Sequence, residues 1–194
     1  MNKTARLSLL AVTLSVLVAC SPVSINDYEG REPELSLENF FSGNLVAYGI
    51  LRDRSGEVTR HFTASLKGTW QDDGTGFLDE IFWFNDGERQ TRLWKMVPQA
   101  DGGYIGTAGD VEGEATIQTA GSAINLLYRL KVPYKDGTIT LSMDDWMYQV
   151  APGVIMNETL MTKWGFEVGK LTLVIMQESA AEGISQLVRD FDRR

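Results

Sequence analysis

A regular alternation of apolar and polar residues is the feature that most constrains the fold of this chain. In its clearest run one parity is apolar and the other polar: Val58, Phe62, Ala64, Leu66 and Trp70 alternate with Thr59, His61, Thr63, Ser65 and Lys67. Because successive side chains of a β-strand point to opposite faces, this period of two predicts a strand with one buried face and one solvated face. Residues 124–132, 139–143 and 171–175 repeat the pattern.

Short turn-forming sequences separate these runs, and no segment of helical length interrupts them. The turn sequences are Asp53-Arg54-Ser55-Gly56, Asp72-Asp73-Gly74, Asn85-Asp86-Gly87, Ala100-Asp101-Gly102-Gly103, Ala120-Gly121-Ser122 and Lys135-Asp136-Gly137. Such sequences favour tight hairpins, so the pattern predicts about eight to ten successive antiparallel strands. Closing this meander removes its exposed edges, and we therefore predict an all-β, up-and-down, lipocalin-like barrel. A two-sheet sandwich fits the same alternation and remains the alternative.

The chain divides into four predicted segments. Residues 1–19 form a signal peptide, residues 20–39 a lipidated tether, residues 40–178 the β-barrel domain and residues 179–194 a C-terminal helical tail. The tether is polar, with two prolines and no sustained period. The tail carries Ile184, Leu187, Val188 and Phe191 at helical spacing, which predicts a short packed helix that serves as a lid or brace.

The first twenty residues have the pattern of a secretory signal. Lys3 and Arg6 precede an apolar run, which ends at the small-residue site Leu17-Val18-Ala19-Cys20. This pattern resembles a bacterial lipoprotein signal, which implies cleavage before Cys20 and lipidation of its thiol and its new amine. By the same resemblance, Ser21 after the cysteine favours the outer membrane, with the domain on the periplasmic face. The apolar run is shorter than the roughly 20 residues of a transmembrane helix, so we predict a lipid anchor rather than a membrane span.

Charge and cysteine content exclude several classes of function. The formal net charge is −8 at pH 7, and a surface of this charge repels nucleic acid. We therefore expect no nucleic-acid partner. Cys20 is the one cysteine of the chain, so its lipidation would leave no thiol for a disulfide, a nucleophile or a metal site.

The hairpin around Asp86-Gly87 departs from the alternation, because both of its faces mix charged and apolar side chains. A two-residue loop at Asp86-Gly87 would pair Glu80 with Leu93, which places Glu80 on the face opposite to Arg92 and Trp94. Whichever face is internal carries a carboxylate and a cation, so we expect an interior ion pair. That pair would either neutralise itself or anchor the polar head of an amphiphile. Glu80, Arg92 and Trp94 are candidate ligand-binding residues that cover both faces.

Asp145 is predicted to point inward, because it shares the parity of the apolar residues Leu141 and Met143. A hairpin at Lys135-Asp136-Gly137 puts Asp145 opposite Leu126 or Tyr128, where the carboxylate could accept a hydrogen bond from the phenol. Tyr128 and Asp145 therefore complete the candidate ligand-binding set. The neighbouring Asp144 points to the other face of the strand, so the two carboxylates are not predicted to share a metal ion or a substrate.

The other motifs favour a non-catalytic interpretation. His61 is the one histidine, and its parity places it on the surface. Neither a G-x-S-x-G elbow nor a phosphate-binding glycine loop occurs in the sequence. The acidic run from Gly109 to Glu114 lacks the ligand spacing of a calcium loop, and we expect a solvated turn there. We therefore predict no catalytic residue, no metal ion and no cofactor.

Motifs along nearly the whole mature chain resemble a family of bacterial lipoproteins. They are Asn85-Asp86-Gly87-Glu88-Arg89 with Arg92 and Trp94, Ala108 and Gly113-Glu114-Ala115 around Asp110-Val111, Asp144-Asp145-Trp146-Met147, and Asn157 with Met161-Thr162-Lys163-Trp164-Gly165-Phe166. Together they resemble the proteobacterial lipoproteins classed as domain of unknown function 3833, although Gly109 and Trp164 stand where Asp and Phe are expected. The resemblance implies a lipoprotein with a lipocalin-like fold and no established activity. Genes of that family often lie among genes for membrane fatty-acid modification, which favours a lipid-related ligand.

Three functional hypotheses follow from the sequence. The leading one is a non-catalytic periplasmic module, tethered to the outer membrane, that binds a fatty-acyl or other apolar ligand in a barrel cavity. A barrel of this size can hold one small ligand or be filled by side chains, and the sequence leaves both open. The second hypothesis is a scaffold or assembly lipoprotein whose exposed apolar surface binds a protein partner. The third is a lipid-modifying enzyme that uses Glu80 or Asp145 as a buried general base.

Overall fold

Ten strands and three helical segments make up the protein in the computed structural model, which describes residues 22–191 except for the side chains of residues 184 and 186–191. The strands are β1 (Gly43–Asp53), β2 (Val58–Trp70), β3 (Gly76–Phe84), β4 (Arg89–Pro98), β5 (Tyr104–Thr107), β6 (Ala115–Ala120), β7 (Ala123–Tyr134), β8 (Gly137–Ala151), β9 (Val154–Lys163) and β10 (Phe166–Gln177). A 3-10 helix spans Ile25–Tyr28, and the α-helices are α1 (Leu37–Phe41) and α2 (Glu178–Phe191).

The ten strands form a closed antiparallel barrel. Each strand pairs with the next one along the chain, and β1 closes the barrel by pairing with β10, from Leu45 opposite Gln177 to Asp53 opposite Gly169. Every strand therefore has two neighbours, and no edge is left to pair with another molecule. The predicted up-and-down, lipocalin-like barrel with a short C-terminal helix is confirmed, and the alternative of a two-sheet sandwich is wrong.

The alternation predicted from the sequence separates the inside of the barrel from the outside. In β2 the side chains of Phe62, Ala64 and Leu66 are buried, whereas His61 and Thr63 are exposed. The inward side chains of the other strands join them in one continuous core. Burying a large apolar side chain contributes roughly 1.5–3 kcal/mol, so this inner face supplies most of the stabilisation of the barrel.

One end of the barrel is closed by the chain that precedes β1. Ser36 caps the N-terminus of α1 by accepting a hydrogen bond from the backbone N–H of Asn39 at 3.3 Å. The buried Phe41 at the end of this helix brings its carbonyl oxygen so close to Gly68 of β2 that any Cβ there would overlap it. Gln177 of β10 donates to the carbonyl of Phe40 at 2.9 Å. We call this the closed end.

The opposite end of the barrel, here called the mouth, is formed by the turns at residues 54–57, 85–88, 135–136 and 164–165 together with the loop at residues 108–114. None of the described helices lies across it. Trp164 lies in the turn between β9 and β10 and is 87% exposed, and Phe166 at the start of β10 is 75% exposed. The inward side chains of Leu51 and Leu171 are half-buried, in contrast to the buried residues near α1.

Helix α2 follows β10 directly and contacts β1 and β10. Asn44 of β1 donates to the carboxylate of Glu178 at 3.2 Å. The predicted packing of Ile184, Leu187, Val188 and Phe191 concerns side chains outside the described set, and Cys20 with its predicted lipid also lies outside the described residues. Within residues 22–191, no helix is both long enough and apolar enough to cross a bilayer.

Candidate ligand-binding site

The barrel encloses a cavity of about 100 Å³ that begins at the closed end. Leu37 and Phe41 of α1 form its floor, and inward apolar side chains of the strands line its walls. The polar side chains that line it are Glu80, Arg92, Tyr128, Asp145 and Asn157. Trp94 lines it as well, so all five residues predicted to bind a ligand face the same cavity.

The β3–β4 turn is one residue longer than predicted. Phe84 donates its backbone N–H to the carbonyl of Glu88 at 2.9 Å, which leaves Asn85, Asp86 and Gly87 in the loop. Gly87 has a φ of +86°, as the last residue of a three-residue hairpin loop requires. The β2 strand holds this turn, because Asn85 donates its N–H to the carbonyl of His61 at 3.0 Å.

Because the turn has one more residue than predicted, the side chains of β4 point to the opposite face, relative to those of β3, from the predicted one. Glu80 pairs with Arg92 rather than with Leu93, because a slip of one residue sends every side chain of a strand to the other face. Glu80 and Trp94 are buried inside the barrel with Arg92, while Leu93 is exposed outside. The prediction that Glu80 faces away from Arg92 and Trp94 is therefore wrong.

Arg92 lies at the centre of an interior charge cluster. Its Nε donates to both carboxylate oxygens of Asp110 at 3.0 Å, and its Nη2 donates to Asp110 Oδ2 at 2.8 Å. Its Nη1 lies 3.6 Å from Glu80 Oε2, an ion-pair distance that is longer than a hydrogen bond. Burial lowers the pKa of Arg92, but Glu80 and the hydrogen bonds to Asp110 raise it more, so the guanidinium stays charged.

Glu80 is the member of this cluster whose hydrogen bonding is incomplete. Its Oε2 is buried and has no hydrogen-bond partner among the described residues. Burial raises its pKa to about 7, because the charge of Arg92 offsets the loss of hydration only in part and the carboxylates of Asp110 and Asp145 add to the shift. Glu80 therefore changes its charge near neutral pH.

Asp145 sits opposite Leu126, as predicted, and points into the barrel. Its carboxylate accepts a hydrogen bond from the side-chain amide of Asn157 on β9. Burial raises the pKa of Asp145 to about 6, although the hydrogen bonds from Asn157 and Thr159 oppose the shift. Asp145 differs from Glu80 in that its carboxylate has a hydrogen-bond donor, the side-chain amide of Asn157.

Tyr128 completes the polar lining through its ring and its hydroxyl. Its ring meets the ring of Trp94 edge to face, with centroids 5.5 Å apart. Among the described residues no hydrogen bond joins its hydroxyl to Asp145, so the predicted carboxylate–phenol bond is not formed. Burial and the charge of Asp145 raise the pKa of Tyr128 above its ordinary value, so the phenol remains protonated and can donate a hydrogen bond.

The features that suggested other chemistry lie apart from the cavity. Asp144 points away from Asp145 and accepts a hydrogen bond from Asn125 at 2.9 Å, so the two carboxylates are separate, as predicted. His61 is exposed, also as predicted. Within residues 22–191, no group of three or more His, Cys, Asp or Glu side chains is placed to hold a metal ion.

Two residues of the site, Asp110 and Asn157, were missed by the sequence analysis. Asp110 belongs to the acidic run that was expected to be a solvated turn. Gly109 and Glu114 are exposed there as expected, but the expectation is wrong for Asp110, which is half-buried against Arg92. The buried Val111 beside it bridges to Leu130 of β7 and fixes the loop. Asn157 could have been found from the sequence, because it alternates in phase with Ile155 and is therefore an amide at an inward position of β9.

The closed ten-stranded meander with a cavity inside defines a lipocalin-like barrel protein. The chain belongs to the family described as protein of unknown function (DUF3833), whose family profile matches residues 14–177. No curated protein sequence matches the chain.

The solved structures that are similar to this barrel include the following two. One is a protein of unknown function from the DUF3598 family of Nostoc punctiforme, with a TM-score of 0.55 at 15% identity over 75% of this chain and 50% of that one. The chain thus spans half the length of that protein, and the similarity supports the fold alone. The other is the S-type phycobiliprotein lyase CpeS from Guillardia theta, with a TM-score of 0.49 at 12% identity over 79% of this chain and 96% of that one.

Proposed function

We propose that this protein is a non-catalytic binding module that takes an apolar ligand with a small polar group into its barrel. The ligand enters through the mouth, because α1 covers the other end. The lipid on Cys20 holds the module at the periplasmic face of the outer membrane. The signal-like sequence that ends at Cys20 supports the anchor, and Ser21 supports the location.

The observation that carries this proposal is a cavity whose polar lining is gathered in one place. The walls are apolar, and the charged groups lie together around Arg92 near the middle of β4. A site with apolar walls and a few convergent polar groups is the usual form of a small-molecule site. A barrel that served only as a rigid body would be more stable with apolar residues in place of this buried cluster.

The size of the cavity limits the ligand. Its volume of about 100 Å³ is below the roughly 300–1,000 Å³ of sites for drug-sized molecules. A slim hydrocarbon chain is therefore the best fit, and a chain longer than the cavity extends toward the mouth. There the inward side chains of Leu51 and Leu171 are only partly buried, which gives the chain an apolar path toward solvent.

Native mass spectrometry with lipid extraction tests the proposal. The mature chain carrying Cys20→Ser is expressed behind an ordinary secretory signal and purified from the periplasm without detergent, so that no acyl anchor is present. We expect a stoichiometric apolar ligand. Ala47→Phe, which fills the cavity from β1, should abolish it, and Tyr48→Phe on the outer face of the same strand should not. A protein that stays free of ligand after incubation with bacterial lipid extract would overturn the proposal.

A protein-binding role is the second candidate, and the exposed aromatic residues Trp164 and Phe166 at the mouth favour it. In that case the double variant Trp164→Ser/Phe166→Ser should lose the cellular function of the protein, whereas Ala47→Phe should keep it. The opposite pattern supports the binding module. Circular dichroism of both variants controls for unfolding.

A further inference from the structure

We propose that the charged cluster around Arg92 selects ligands whose polar group donates a hydrogen bond, a hydroxyl or an ammonium, and rejects a free carboxylate. This inference rests on the proposed binding function and specifies its ligand. It replaces the simplest candidate, a free fatty acid, with an apolar alcohol or amine. The reason is the set of hydrogen-bonding atoms that remain available to a ligand.

Glu80 offers the free acceptor of the site. The Glu80 side chain lines the cavity, and its Oε2 is buried and has no hydrogen-bond partner among the described residues. The nearest cationic atom, Arg92 Nη1, is 3.6 Å away. A buried acceptor without a partner is unfavourable, and a ligand that donates a hydrogen bond to it removes this unfavourable state.

Arg92 offers a ligand carboxylate no favourable position. Three hydrogen bonds join its Nε and Nη2 to Asp110, and its Nη1 lies 3.6 Å from Glu80 Oε2. A carboxylate that accepted a hydrogen bond from Nη1 would lie beside the like charge of Glu80. A carboxylate bound at Nε and Nη2 would displace Asp110 and leave that half-buried aspartate without its charged partner.

The charge balance around the cavity points the same way. Three carboxylates, those of Glu80, Asp110 and Asp145, surround the single guanidinium of Arg92 among the described residues near the site. In a poorly hydrated interior a further carboxylate is repelled, while an ammonium group or a hydroxyl hydrogen is attracted. Asp145 is already held by Asn157, so Glu80 is the residue that meets the ligand.

The test compares three probes with the same ten-carbon chain, 1-decanol, decylamine and decanoate. Each is titrated at pH 8 into the mature Cys20→Ser chain, and binding is followed by the fluorescence of the protein and by calorimetry. We expect decanol and decylamine to bind at least about tenfold more tightly than decanoate. Decanoate that binds as tightly as the others would overturn the inference while leaving the binding function standing. Absence of binding by all three would overturn both.

Two substitutions that each remove one negative charge test whether Glu80 is the residue that selects the ligand. Glu80→Gln keeps the shape of the side chain, and it should lower the affinity for decylamine and raise that for decanoate. Glu158→Gln removes the same charge from the exposed outer face of β9 and is the matched control. If both variants lower the affinity for decylamine equally, the amine is attracted by the net negative charge of the surface, and the inference is wrong. The ranking of the three probes in the unsubstituted chain gives an answer even if Glu80→Gln folds poorly.

Discussion

The closed end and the mouth are made by the same ten strands, yet they differ in how completely their side chains are covered. At the closed end Leu45, Ile155 and Phe41 are almost fully buried, and helix α1 lies against Gly68 without room for another atom. At the mouth the inward side chains are half-buried and Trp164 is exposed to 87%. The difference indicates that stability is concentrated at one end, which leaves the other free for ligand entry.

Gly68→Ala should have the largest effect, because the new methyl group would overlap the carbonyl oxygen of Phe41 and displace α1. We expect the free energy of unfolding in urea to fall by about 4 kcal/mol, in the range reserved for severe steric conflicts. Gly137→Ala at the mouth is the control, since nothing lies within 4 Å of its added methyl. Equal stabilities of the two variants would refute the tight contact at the closed end.

Ile155→Ala tests whether the interior near α1 is packed more tightly than the interior near the mouth. Ile155 is 0% exposed, so its truncation should lower the free energy of unfolding by about 3 kcal/mol. Leu171→Ala, at a half-buried position near the mouth, should lower it by about 1 kcal/mol. Denaturant midpoints at constant slope give both values, and a larger loss for Leu171→Ala would reverse the comparison.

Glu80→Gln measures how completely water is excluded from the interior between the closed end and the mouth. The pKa of Glu80 is about 7 in the folded protein against an ordinary 4.5, so the folded state binds this proton more tightly than the unfolded state. The contribution of Glu80 to stability is thus greatest below about pH 4.5 and is lost as the pH rises through 7. Glu80→Gln should be more stable than the unsubstituted protein by about 3 kcal/mol at pH 8, and about equal to it at pH 4.5.

Unfolding curves measured between pH 4.5 and 8 show this difference directly. Asp145, whose pKa is also raised, to about 6, remains in both proteins, so the effect of its own burial is common to both curves. Glu158→Gln on the outer face should give a difference that does not change over this range. A constant difference for Glu80→Gln would mean that water reaches Glu80 as freely as it reaches the mouth.

Trp164→Asn should have the smallest effect on stability and, like Glu80→Gln at pH 8, it should stabilise the protein. Trp164 has a φ of +52°, a conformation that asparagine adopts more readily than a large aromatic residue. We expect a gain of about 0.5 kcal/mol after loss of the cation–π contact with Lys163. Thermal unfolding measures it, with Trp83→Ser on the barrel wall for reference. A clear loss of stability would show that Trp164 helps to hold the mouth together.

The sequence predicted the fold where the local pattern was regular and failed where a turn had two solutions. Asp145 was placed correctly, because the alternation of β8 is unbroken from Leu141 to Asp145. Glu80 was placed on the wrong face relative to Arg92, because Asp86-Gly87 suits a two-residue loop as well as the three-residue loop that forms. Arg60 of β2 bonds to Asp86 and Glu88 at 2.9 and 2.7 Å in the loop that forms. Such a contact between strands has no signature in the hairpin itself.

The sequence by itself determined the inward faces of the regular strands and the choice of the five candidate residues, because a period of two is a property of neighbouring residues. The tertiary structure decided the closure by α1, the pairing of Glu80 with Arg92 and the contact of Asp110 with that pair. Asp110 reaches Arg92 from a loop eighteen residues further along the chain. Contacts of this kind depend on how the strands are arranged around the barrel, and the unpartnered oxygen of Glu80 exists only as their result.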